Sequence, residues 1–184
     1  MKHEAIKKFN YYLLLKNKGL RKESQSQLDI FIHDYKKCDK MARREILQWL
    51  YKEAYYKNDY NTYLPHNLVE TVLKPEILSW ISEDPMSPIP YRFTYEISDL
   101  RKSLEIDPHD ENTIRLLGEM TINKIRNNQH DVSKYNYYHG TPQKDIETLN
   151  FYLKIINQNE EHLELTELKN TVLDLLEIAE KIMK

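Results

Sequence analysis

The apolar positions of this chain recur at three- and four-residue intervals along most of its length, the spacing of amphipathic helices. Ala5, Ile6, Phe9, Tyr12 and Leu13 predict a first helix over about 3–18, stopped by Gly19, which tolerates the left-handed backbone that ends many helices. Leu28, Phe31, Ile32 and Tyr35 predict a second from near Ser24 to Lys37, with Asp39 placed to cap a third. That third helix, over about 40–57, carries Met41, Ile46, Leu47, Trp49, Leu50 and Ala54, with Tyr51 and Tyr55 one turn apart, and Asn58-Asp59 breaks it. Pro65 opens a short helix expected to end before Lys74, because a residue preceding proline is pushed out of the helical region. Pro75 opens another through Trp80 and Ile81.

Residues 82–90 hold three prolines, Pro85, Pro88 and Pro90, and read as an extended joint within one domain spanning 1–184. Beyond it, Phe93, Ile97, Leu100 and Leu104 continue at helical spacing from Tyr91, and Asp107-Pro108-His109-Asp110 ends that helix and caps the next. Ile114, Leu117, Thr121, Ile122 and Ile125 line the following helix. A polar stretch over 127–140 precedes a helix opened by Thr141-Pro142 and lined by Ile146, Leu149, Leu153 and Ile156. A last helix over about 160–183 buries Leu165, Leu168, Val172, Leu175, Leu176 and Ala179. The fold class expected is therefore all-α, about eight helices paired as antiparallel hairpins.

Pro75, Pro108 and Pro142 stand 33 and 34 residues apart, each near a helix start. The stretch Asp99-Leu100-Arg101-Lys102-Ser103-Leu104-Glu105-Ile106-Asp107-Pro108-His109-Asp110 resembles the junction between two tetratricopeptide repeats, whose period is 34 residues. The resemblance implies a short stack of helix pairs that leaves an extended surface for another protein. Trp80 and the Pro-rich joint have no place in that repeat, and the small residues it sets at helix crossings are mostly missing. Trp80, Pro90-Tyr91-Arg92-Phe93, the Asp-Pro turn and His139-Gly140-Thr141-Pro142 together are also similar to a group of uncharacterised bacterial helical proteins, a likeness that implies no activity.

Composition agrees with a helical globule. The 40% of hydrophobic and 30% of charged residues support a folded core, and only 3 glycines leave little for sandwiches or phosphate-cradling loops. No secretory leader and no run long enough to cross a membrane is read. With a single cysteine, Cys38, the expected compartment is the cytoplasm. Charge is uneven: 13 basic against 6 acidic residues over 1–52, and 14 against 23 over 53–184. The basic third is expected to pair with acidic groups of its own chain or a second copy, which disfavours nucleic acid as a partner although it remains the alternative.

His-Asp occurs at His33-Asp34, His109-Asp110 and His130-Asp131. Read as catalytic ligands, His109, Asp110, His130, Asp131 and His139 suggest a metal-dependent hydrolase; read by position, the aspartates at helix boundaries are caps. The second reading is preferred, and no motif calls for a cofactor or a catalytic residue. Cys38 has only neighbouring lysines to favour a thiolate and is taken as structural. Tyrosine is the overused side chain, with 14 copies concentrated at 51–63 and 135–138. Tyrosines supply wide, fairly rigid contact area, so the expected role is an interaction scaffold for another protein or peptide, or for a second copy. Its surface would be a tyrosine-rich groove or an acidic helical face. The candidate contact residues are Tyr51, Tyr55, Trp80, Tyr91, Arg92, Tyr135, Tyr138 and His139.

Overall fold

The computed structural model describes residues 2–56, 63–161 and 165–183, without the side chain of Tyr56. Among them the chain is all-α, with no strand and about eight principal helices. Asn58-Asp59 and Tyr60 lie outside the described residues, as do 162–164 of the last expected helix. The chain forms two compact units, 1–84 and 85–184, whose boundary falls inside the Pro-rich segment.

The N-terminal unit contains α1 (Lys2–Asn17), α2 (Arg21–Lys37), α3 (Lys40–Tyr56), α4 (His66–Leu68), a π-helical turn (Val69–Leu73) and α5 (Lys74–Glu83). Gly19 takes a left-handed φ of 74° and reverses the chain so sharply that α2 starts at Arg21 rather than near Ser24. The Asp39 carboxylate accepts the Ala42 amide at 2.9 Å and caps α3, as its position predicts. The break expected at Lys74 is absent: Lys74 is helical, with φ −61° and ψ −45°. The Lys74 amide reaches back five residues to the Val69 carbonyl, and this widened turn makes room for the Pro75 ring that would crowd an ordinary α-turn.

α1 packs along α2 and against α3. Phe9, fully buried, lies at the centre, with ring centroids 5.0 Å from Phe31, 5.4 Å from Tyr12, 5.4 Å from Tyr63 and 6.1 Å from Trp49. A cluster of aromatic rings thus sits in the core of this unit beside Leu28, Ile46, Leu47 and Leu50, the last two ring contacts edge-on, as the ring quadrupole favours.

The C-terminal unit contains a 3₁₀ turn (Pro90–Thr94), α6 (Ile97–Ile106), α7 (Glu111–Gln129), α8 (Val132–Tyr135), α9 (Pro142–Asn159) and α10 (Thr166–Ile182). The helix expected from Tyr91 begins only at Ile97, because Tyr95 turns left-handed at φ 56°. Thr94 holds that turn, its hydroxyl donating to the Tyr91 carbonyl at 3.0 Å and accepting the Glu96 amide at 3.3 Å. The last helix begins at Thr166 rather than near 160, with α9 running to Asn159.

α7 touches α6, α9 and α10, and the core around it is aliphatic apart from Tyr152: Leu100, Ile114, Leu117, Leu149, Ile156 and Val172 are at most 2% exposed. Tyr152 donates its hydroxyl to the Ile114 carbonyl at 2.7 Å over Gly118, where a Cβ would stand 2.0 Å from that oxygen. Gly118 is therefore the contact point that lets the phenol reach α7 backbone.

Buried polar groups fasten the ends of these helices. Ser103 Oγ donates to the Pro88 carbonyl at 2.9 Å and lies 3.2 Å from Thr113 Oγ1, whose hydroxyl in turn donates to Asp110. Asp110 also faces Arg92, with Nε 2.8 Å from Oδ2 but its N–H turned off the hydrogen-bonding line. Asp110 occupies the cap position of α7 yet spends its carboxylate on Arg92 and Thr113 and caps no amide, contrary to the sequence expectation. Asn159, 1% exposed, accepts through Oδ1 from His109 Nδ1 at 2.7 Å and donates through Nδ2 to the Pro108 carbonyl at 3.2 Å, tying the end of α9 to the Asp-Pro turn.

Candidate functional site

The eight contact candidates fall into three environments. Tyr51 and Trp80 are packed inside the N-terminal unit at 3% and 6% exposure, with the Arg44 guanidinium 4.7 Å above the Trp80 ring; Tyr55, in the last turn of α3, is exposed. Tyr91 is buried and donates to the Pro85 carbonyl at 3.1 Å, and Arg92 belongs to the buried network with Asp110. Tyr135, Tyr138 and His139 share the segment after α7. Tyr137, absent from that candidate set, stands beside them.

This segment is closed by its own hydrogen bonds. The His139 amide donates to the Asn128 carbonyl at 2.7 Å, so the chain returns to the end of α7 after ten residues of excursion. Gly140, at φ 115°, lies where a Cβ would come 3.1 Å from Asn128 Nδ2, which explains glycine at the closure. Asp145, 6% exposed in the first turn of α9, accepts from Tyr138 Oη at 2.6 Å and from Asn128 Nδ2 at 2.7 Å. Burial first, and the Asp145 carboxylate second, hold the Tyr138 phenol protonated far above the usual phenol range.

Within the excursion, α8 forms one turn and Asn136 stops it in the left-handed region, its amide bonded to the Val132 carbonyl at 3.0 Å. Asp131 stands at the start of α8 without capping it. One carboxylate oxygen lies 2.9 Å from His130 Nδ1 and the other 2.6 Å from His139 Nε2. These bonds, that of His139 the stronger, hold the Asp131 carboxyl below its ordinary value. Tyr137 crosses the His139 ring edge-on at 4.7 Å between centroids, and Lys134 Nζ lies 4.9 Å from the Tyr135 centroid. Tyr135 and Tyr137 are left 63% and 58% exposed.

The three His-Asp pairs do not gather into one site. His33 is exposed on α2 while Asp34 pairs with Lys8, and His109 and Asp110 bond separately to Asn159 and to Arg92 and Thr113. Only His130, Asp131 and His139 meet, and there each imidazole takes one carboxylate oxygen. Among the described residues no group of three or more His, Cys, Asp and Glu side chains is disposed to hold a metal ion.

Cys38 is 3% exposed, its thiol directed at the Asp34 carbonyl at 3.4 Å and pushed up in pKa by burial, the condition of an unreactive thiol. Five of the 13 basic residues over 1–52 meet carboxylates of their own unit: Lys2 with Glu45, Lys8 with Asp34, Lys40 and Arg44 with Glu83, and Arg43 with Glu76. A cleft of about 250 Å³ beside Arg43 and Glu76 is floored by Tyr35, whose hydroxyl is buried without a partner among the described residues. No described helix is long and apolar enough to cross a membrane. No protein-family profile, curated protein or solved structure matches this chain.

Proposed function

We propose that this chain is a protein–protein interaction module whose contact surface is the loop over residues 132–140. One observation carries the reading: Tyr135 and Tyr137 stand exposed while the residues around them, Asp131, Tyr138, His139 and Asn128, are bonded into a closed frame. Exposed tyrosines on a pre-ordered loop present contact area without a large ordering cost on binding. A helical scaffold that positions such a loop is the arrangement in which loops commonly carry function. The resemblance of the Asp-Pro junction to tetratricopeptide repeats points the same way, because such repeats serve as interaction surfaces.

The tyrosine-rich groove over 51–63 has less support, since Tyr51 and Tyr63 are buried packing residues. Photo-cross-linking in cells tests the proposal. With benzoylphenylalanine at position 135 or 137 a discrete higher-mass adduct is expected, and with the same group at exposed Ser98 none. Absence of an adduct from both loop positions, or the same adduct from Ser98, contradicts it.

A further inference from the structure

We infer that the partner segment engaged by this loop is acidic, an inference that rests on the contact-loop reading above. Residues 85–184 carry 12 basic and 17 acidic side chains, a net −5, so a basic surface there is not the default. Of the eleven described cations of this unit, Arg92, Lys102, Arg115, Lys169 and Lys181 each face a carboxylate, and Arg101 lies 4.3 Å from the Phe151 ring centroid. Of the five others, four lie in or beside the loop along the chain and only Lys154 lies away from it. Lys124, Arg126, Lys134 and Lys144 are exposed and have no carboxylate partner among the described residues.

The two aspartates of the same stretch do not offset them. Asp131 is spent on His130 and His139, and Asp145 is buried under Tyr138 and Asn128. Lys124 lies one helical turn before Asn128 and Lys144 directly before Asp145, so both flank the closure of the loop, and Lys134 sits within it beside Tyr135. Two outward aromatic rings, one with Lys134 against it, on a loop flanked along the chain by Lys124, Arg126 and Lys144 fit a short stretch of Asp and Glu with an apolar residue between them. A nucleic acid fits less well, because its closely spaced phosphates would meet the acidic remainder of the unit beyond these four cations.

The test is fluorescence anisotropy of the full chain with a fluorescein-labelled oligoglutamate peptide containing one phenylalanine, alongside labelled oligolysine and oligothymidylate. The glutamate peptide is expected to bind most tightly and to weaken several-fold as salt rises from about 0.05 M to about 0.2 M. Tyr135→Ala with Tyr137→Ala is expected to weaken it roughly tenfold, Lys134→Gln with Lys144→Gln about fivefold, and Lys154→Gln not at all. Tighter binding of oligothymidylate, no binding of the glutamate peptide, or binding indifferent to both double variants overturns the inference. If position 137 still yields its cross-linked adduct when the glutamate peptide fails, the contact loop stands and only the acidic partner falls; if neither occurs, both fall.

Discussion

The two units use their aromatic residues in different proportions, inward in one and partly outward in the other. In the N-terminal unit the rings of Phe9, Phe31, Tyr12 and Tyr63 are buried in the core beside Leu28, Ile46, Leu47 and Leu50, with half-buried Trp49 against Phe9, and several cations pair with carboxylates of the same unit. In the C-terminal unit the core is Leu, Ile and Val around α7, one tyrosine crosses it at a glycine, and two others face outward on a tied loop. The difference shows that tyrosine content alone does not mark a binding surface. The surface we propose is marked instead by exposed rings whose neighbours are already bonded, because such a ring has area to offer and little freedom to lose.

The contrast is open to attack at several points. The largest expected effect is at Phe9, where Phe9→Ala empties the middle of a ring cluster and is expected to cost about 4 kcal/mol, against about 3 kcal/mol for Leu149→Ala in the aliphatic core. Hydrogen exchange of α1 and of α9 amides reads the two separately, and equal loss in both units from Phe9→Ala would contradict a core centred on it. Gly118→Ala is expected to cost about 2 kcal/mol by forcing the Tyr152 hydroxyl off α7. Adding Tyr152→Phe recovers part of that loss if the clash is with the hydroxyl; no recovery would place the strain elsewhere.

Tyr35 offers a change of opposite sign. Its hydroxyl is buried and unpaired, so Tyr35→Phe removes an uncompensated polar group and is expected to raise stability by about 1 kcal/mol in chemical denaturation. A destabilised variant would mean the hydroxyl has found a partner. The smallest effect belongs to Asp131. Because its two histidine partners depress its carboxyl, the stabilisation it gives the loop is present above the ordinary carboxylate value of 3.8 and is lost as pH falls through the lower folded value. The carboxyl ¹³C resonance of Asp131 is expected to titrate with a midpoint below 3.8, and a midpoint at or above it contradicts the bonding described.

Helix identity was legible because burial writes a 3.6-residue period into the sequence: Leu28, Phe31 and Tyr35 are buried where that period sets them. Features that depend on contacts distant in sequence were not legible. Asp110 and Asp131 occupy cap positions, yet Arg92 and the two histidines take their carboxylates. Lys74 obeys no local rule, since a π-turn absorbs the proline that should have ended the helix. Tyr51 and Tyr55 share a helical face by spacing, yet Tyr51 is 3% exposed and Tyr55 45%. Of the candidate site, Tyr135, Tyr138 and His139 could be singled out from their density on irregular chain. Tyr137, whose ring meets His139 edge-on, belongs to the same dense stretch, whereas Asp145, the residue that anchors Tyr138, gave no such signal.

Nitration of the folded chain by tetranitromethane, read tyrosine by tyrosine by mass spectrometry, tests the partition most directly. The account predicts that Tyr135 and Tyr137 react at rates near those of the unfolded chain, while Tyr12, Tyr35 and Tyr152 stay protected until unfolding. Protection of Tyr135 and Tyr137 equal to that of Tyr152, or early nitration of Tyr35 and Tyr12, would contradict it.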